Sequence, residues 1–276
     1  MRSLAALVDS AALRFPNRIA LISPSTLISS LTHSELASKS TNVAHYLRRY
    51  GYKQGDLIVS NLSNNSNNLM MQIACSRLGV HYGSVKELND LMKFKNISGA
   101  VDDTGVDFLA TVTLPVPAIE STFISELVNN DEGGPVESVE EEIHAMYNSA
   151  TPYSNSQLIE DGADAAKNLE MTADDVVAVS ISMHHMFGIG SAISSALHVG
   201  ACTALPDDGE HAYETVVKNA ATLLFADTHT LKADSSKFDL ASSLRGGCVK
   251  IGSGSTFLPE TRELNGIVLK TVGKMS

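Results

Sequence analysis

Leu31-Thr32-His33-Ser34-Glu35-Leu36 decides how the rest of the chain is parsed. Thr32 followed three residues later by Glu35 is a capping box: the Thr hydroxyl accepts from the Glu amide, and the Glu side chain reaches back to the Thr amide. A helix therefore starts at His33, with Leu36, Val43, Ala44 and Leu47 on one face, and it stops at Gly51. On either side lie short β-rich runs, Ile19 to Ile22 and Leu57 to Ser60. Polar residues 64–68 then form a loop and cap before a second helix that buries Met70, Ile73, Ala74 and Leu78 and ends at Gly79. The alternation continues. Ile143 to Tyr147, Val176 to Ile181, Leu223 to Ala226 and Cys248 to Ile251 read as strands, and Ser191 to Leu197 as a buried helix. The continuous apolar run at Val176 suits a strand covered on both faces. At the N-terminus Leu4, Leu7, Val8 and Ala11 form the buried stripe of a first helix. The expected class is α/β, layered sheets flanked by helices.

With 276 residues and 43% hydrophobic content the chain can bury a full core. We read residues 1–276 as a single domain, with a loop-prone stretch at 114–136 as an internal subdomain boundary. The net charge of −11, without clustered Lys or Arg, argues against a direct nucleic-acid surface. Cys75, Cys202 and Cys248 are far apart and odd in number, which fits buried free thiols in a reducing, intracellular compartment rather than disulfides or zinc. No apolar run approaches the ~20 residues that span a bilayer, and Asp9 interrupts the only apolar start.

Several stretches, in order, resemble the N-terminal part of the adenylate-forming superfamily of acyl-CoA synthetases, luciferases and peptide-synthetase adenylation domains. Residues 11–21 (Ala-Ala-Leu-Arg-Phe-Pro-Asn-Arg-Ile-Ala-Leu) resemble its usual opening, and Leu31 to Leu36 its Leu-Thr-Tyr-x-Glu-Leu. Residues 51–58 (Gly-Tyr-Lys-Gln-Gly-Asp-Leu-Ile) resemble its Gly-Val-x-x-Gly-Asp-x-Val. Asn64 to Gly79 follows its Asn-rich loop and helix, and Ser182 to Gly188 its Pro-Met-Phe-His-x-Phe-Gly, with His185 at the family histidine. Ser243-Leu244-Arg245 and Gly252-Ser253-Gly254 are similar to two later elements. The resemblance implies that fold, in a degenerate and truncated form, because the family's later acidic and lysine elements would fall beyond Ser276.

The same resemblance marks where the chemistry is lost. Tyr147-Asn148-Ser149-Ala150-Thr151-Pro152-Tyr153-Ser154-Asn155-Ser156-Gln157-Leu158 stands where the family carries Tyr-Thr-Ser-Gly-Thr-Thr-Gly-x-Pro-Lys-Gly. That loop works because glycine backbone approaches phosphate closely and a Lys neutralises the developing charge. Here the family glycines fall on Ala150, Tyr153 and Gln157, and the Lys on Ser156. A Tyr at a phosphate position is a steric block as well as a lost conformation. The expectation is a pseudoenzyme with no catalytic residue, no cofactor and no metal site.

Within that resemblance His185, Phe187 and Gly188 are the candidates for a residual acyl pocket, against the alternative that His185 is merely packed or solvent-facing. The expected role is a structural or accessory subunit of a larger protein complex. The mitochondrion is a suitable compartment, because large complexes there recruit repurposed enzymes, and the cytoplasm is the other. Two other readings stay open: a module that still binds acyl, CoA or a carrier-protein arm, and an active enzyme completed by a second chain. The expected docking face runs from Ser253 to Ser276, with Leu264, Ile267 and Leu269 as contacts.

Overall fold

In the computed structural model the described residues are 3–23, 29–85, 93–102, 118–120, 136, 143–147, 151–206 and 211–274. The capping box at Thr32 forms as expected: Glu35 N donates to Thr32 Oγ1 at 3.2 Å, and Thr32 N donates to a Glu35 carboxylate oxygen at 2.8 Å. It opens α2 (His33–Arg49), which packs on α1 (Leu4–Arg14) and α3 (Ser66–Leu78). Asn65 caps α3, and every residue of that helix is buried. This explains the polar Asn68 and Gln72 in its interior. Asn68 donates to the Leu62 and Ser63 carbonyls and accepts from Gln72 and Tyr82. Such buried amides persist because they are hydrogen-bonded.

Two sheets carry the helices. The larger contains β1 (Ile19–Ile22), β2 (Ser30–Thr32), β9 (Val176–Val179), β10 (Cys202–Ala204), β11 (Leu223–Asp227), β12 (Gly246–Lys250), β13 (Thr256–Leu264) and β14 (Ile267–Gly273). Their order is β13-β14-β12-β11-β9-β10-β1-β2, parallel except for the β1/β2 and β13/β14 pairs. The smaller contains β3 (Leu57–Asn61), β4 (His81–Ser84), β5 (Gly99–Asp102), β6 (Ala118–Glu120), β7 (Ile143–Tyr147) and β8 (Thr151–Ser154). Its order is β6-β5-β3-β4-β7-β8, with only β7/β8 antiparallel. Most of the stretch at 114–136, including any subdomain boundary there, lies outside the described residues.

The remaining helices are α4 (Asn155–Asn168), α5 (Ser194–Val199), entered from a π-helical turn (Phe187–Ile193), and α6 (Ala212–Lys218). Alternation along the central strands of the larger sheet separates its faces. Val177, Val179, Phe225 and Cys248 join a core that also contains Tyr82, Tyr153 and Phe187, and so spans both sheets. Their neighbours Ala178, Leu224, Ala226 and Val249 join a second core with Tyr213, Val216 and Leu269. Leu264, Ile267 and Leu269 are 5%, 9% and 0% exposed within that second core. The expected docking contacts are therefore internal, and they cannot present themselves to a partner while the chain is folded.

Candidate functional site

The segment that stands at the family's glycine-rich loop is ordered secondary structure wherever it is described. Tyr147 ends β7, and residues 148–150 (Asn148, Ser149 and Ala150) lie outside the described residues. Thr151, Pro152 and Tyr153 belong to β8, which pairs back on β7 with Ala145 opposite Tyr153 and Met146 opposite Pro152. Ser154 then caps α4: Gln157 N donates to Ser154 Oγ at 3.2 Å, and Ser154 N donates to Gln157 Oε1 at 3.1 Å. Ser156, at the place of the family Lys, sits exposed in the first turn, its hydroxyl 2.9 Å from that of Ser154. The expectation of an irregular loop through residue 158 is thus corrected: a strand and a capped helix begin inside it. The sequence signal was Ser154-x-x-Gln157, a capping box like the one at Thr32.

Tyr153 is 1% exposed, and its ring points into the core. The phenol donates to Asp161 Oδ2 at 2.8 Å, one and a half turns into α4. It also lies against the backbone of Gly190 in the π-helical turn. A Cβ added at Gly190 would overlap the phenol oxygen and come within 3.0 Å of ring atom Cζ. Gly188 is equally constrained, since a Cβ there would stand 2.5 Å from the Ser182 carbonyl oxygen. Phe187 is fully buried against Phe225, with ring centroids 5.8 Å apart. His185 is exposed and turned back on the chain, accepting from the Phe187 amide through Nδ1 at 3.1 Å. Its neighbour His184 is buried, with Nδ1 against the Ser84 hydroxyl.

Across the core from Tyr153, Lys250 at the end of β12 is 9% exposed. Its Nζ has no hydrogen-bond partner among the described residues and sits 5.3 Å from the Phe187 ring centroid. That distance allows a cation–π attraction. Burial lowers the Lys250 pKa from its ordinary value, and attraction to Asp161 partly offsets this. Burial raises Asp161, against hydrogen bonds from Tyr153 and Ser255 and the pull of Lys250. Both groups are thus held away from their charged forms by desolvation. Tyr153, Asp161, Lys250 and Phe187 make one internal cluster joining β8, α4, β12 and the π-helical turn. The sequence reading missed Asp161 and Lys250, although a lone Lys in the apolar run from Cys248 to Ile251 was a usable signal.

Chemically the cluster is closed. The phenol is committed to a carboxylate, and the amine faces an aromatic ring. Among the described residues no group of three His, Cys, Asp or Glu side chains converges as a metal ion would require. No helix among them is long and apolar enough to cross a membrane.

Two sheets that share one core with the Asn-rich helix and the turn at Phe187 form an α/β domain of the adenylate-forming type. The comparisons agree. The family model for AMP-binding enzymes matches residues 8–168, and the chain belongs to that family. Among solved structures it is similar to VinN in complex with L-aspartate, with a TM-score of 0.76 at 17% identity over 90% of this chain and 69% of VinN. It is also similar to the o-succinylbenzoate coenzyme A synthetase MenE from Bacillus subtilis, at 0.71 and 18% over 90% of this chain and 56% of that one. A long-chain-fatty-acid-CoA ligase, FadD1 from Archaeoglobus fulgidus, gives 0.75 and 18% over 90% and 57%. At these identities the likeness is one of fold. No curated protein matches by sequence.

Proposed function

We propose that this chain is a non-catalytic member of the AMP-binding family that serves as a structural or accessory subunit of a larger protein complex. One observation carries the reading. Where the family cradles phosphate on glycine backbone, this chain has β8 and a capped helix, with Tyr153 packed onto Gly190 and hydrogen-bonded to Asp161. Adenylate formation needs preorganised donors aimed at the transferring phosphoryl group. In the described part of the segment the Ser154 hydroxyl is used in capping, the Tyr153 phenol is bonded to Asp161, and there is no Lys. A fold kept intact around a closed site is expected of a chain retained for what it touches.

Two measurements test the two halves of this proposal. ATP-dependent pyrophosphate exchange, run over a panel of fatty, aromatic and amino acids, is expected to stay at background. Exchange above background with any carboxylate overturns the non-catalytic reading. Blue-native separation of a gentle extract, starting with mitochondria, followed by mass spectrometry of the band, is expected to place the chain in a large stoichiometric complex. Migration as a free 29.3 kDa monomer overturns the subunit reading.

A further inference from the structure

The turn that follows α1 joins it to α2 and α5. Its carbonyls take the first amides of α2: His33 N donates to the Arg18 carbonyl at 3.0 Å, and Ser34 N to the Pro16 carbonyl at 3.2 Å. Two of the four donors that a helix start leaves open are met in this way. Phe15 packs on the residue after α5, so closely that a Cβ added at Gly200 would overlap its ring. Arg14 lies over Phe15, 4.8 Å from the ring centroid, and donates to the His198 carbonyl at 3.1 Å.

Two histidines are built into this joint. His33, the first residue of α2, is fully buried, with its ring centroid 6.2 Å from that of Phe15. It stands where the family motif has Tyr, so a group that can take a proton replaces one that cannot. Neither ring nitrogen forms a hydrogen bond. His198, in the last turn of α5, is half-buried, and its Nε2 lies 3.0 Å from the Ile159 carbonyl of α4. The positive end of the α2 dipole opposes a cation at His33.

The surrounding charges favour neutral rings. Burial lowers the His33 pKa from its ordinary value; the Gly200 carbonyl favours the charged ring, and Arg18 opposes it. Burial lowers His198 likewise, with the Ile159 carbonyl acting against the shift and Arg14 adding to it. The charges that act on the two rings are thus both positive. Nearby carboxylates are committed elsewhere: Glu35 of α2 to the Thr32 cap, Asp174 to Arg18, and Asp9 of α1 to Arg77. On α4, Asp161 holds Tyr153, while Glu160, Asp164 and Lys167 are exposed.

We propose that this joint is an acid-sensitive latch: protonation of His33 and His198 releases the Arg14–Phe15 end of α1 from α2 and α5. The Asp9–Arg77 ion pair, at 2.6 Å, keeps the rest of α1 in place. The latch does not depend on whether the chain forms adenylates. With both folded values depressed, the closed joint binds fewer protons than the open one. Closure is therefore complete above the ordinary histidine value of 6.5, and it weakens as pH falls from there through the depressed values.

The test is hydrogen exchange of the full chain, read by mass spectrometry at about pH 7.5 and about pH 5.5 and corrected for intrinsic exchange. Opening of residues 11–15, where Phe15 N donates to the Ala11 carbonyl, should rise in acid by up to about tenfold for each histidine. Amides of β11 and β12 should show no comparable change. The double variant His33→Gln/His198→Gln keeps polar side chains that cannot take a proton, and it should lose the acid response. If a buried amide at position 33 prevents folding, His33→Tyr with His198→Gln makes the same comparison using the residue of the family motif. A wild-type response below about threefold, or one that persists in the folded variant, overturns the proposal. Equal loosening of β11 and β12 would report global unfolding and overturns the latch as well.

Discussion

Gly190→Ala tests directly whether Tyr153 has become part of the core. Gly190 sits in a π-helical turn without a positive φ, so alanine suits its backbone and helix propensity alone would favour the change by about 1 kcal/mol. The added Cβ, however, overlaps the phenol oxygen of a side chain that is 1% exposed and bonded to Asp161. Overpacking of this kind costs about 1–3 kcal/mol. If the phenol moves aside it also gives up a hydrogen bond to a partly buried carboxylate, another ~1.5–3 kcal/mol. The net expectation is a loss of about 2–4 kcal/mol in urea unfolding.

Tyr153→Phe alone forfeits the hydrogen bond and should cost about 1.5–3 kcal/mol. Combined, the two changes should cost less than Gly190→Ala alone, because removing the hydroxyl leaves ring atom Cζ, at 3.0 Å, as the nearest group. That contact needs only a small shift. The predicted coupling is about 2 kcal/mol or more, in the direction of rescue. Additivity to within about 0.5 kcal/mol would falsify the packing described for this site. A second readout is independent of stability. Asp161 should titrate higher still in Tyr153→Phe, since the lost bond favours its charged form.

Lys250→Met keeps the volume of a buried side chain whose pKa is lowered chiefly by burial. The depressed folded value means that stability is gained as pH rises from it toward the ordinary Lys value. The variant should lose that alkaline gain and, at neutral pH, unfold within about 1 kcal/mol of wild type or later; a loss of several kcal/mol would refute the view that burial of the amine outweighs its attraction to Asp161. Burial pushes Asp175 up, but hydrogen bonds from Arg245, Thr222 and Thr172 outweigh it and hold the carboxyl below its ordinary value. Its contribution is therefore full above the ordinary Asp range and lost as pH falls through the depressed value, so Asp175→Asn should flatten the acid limb of the stability profile. Leu269→Ala, at a fully buried position, should cost about 2–5 kcal/mol in the isolated chain; unchanged stability with loss of an assembly would restore the docking role that burial rules out.

Most of the frame was legible because its signals are local. The Thr32 box, the αL glycine after α3 and the apolar run at Val176 each depend on a few neighbouring residues; the first two formed as expected, and the strand at Val176 formed but ends at Val179 rather than Ile181. The misses have two different causes. Helix α4 and the β13/β14 hairpin also carry local signals, Ser154-x-x-Gln157 and Asn265-Gly266, the latter with φ of 50° and 80° as a tight hairpin turn needs. The first falls in the segment that aligns with the family's loop, and the second in the stretch expected to dock. Tyr153, Asp161 and Lys250 carry no local signal that pairs them with one another. They are assembled by strand order from residues up to 97 positions apart, between Tyr153 and Lys250 (250 − 153), and no spacing within a helix or strand encodes that meeting. What the sequence did hold was asymmetry, one Lys in an apolar strand. A charge that local pattern cannot place is best explained by a partner far along the chain or outside it. For Lys250 the attraction to Asp161 only partly offsets the burial of the amine.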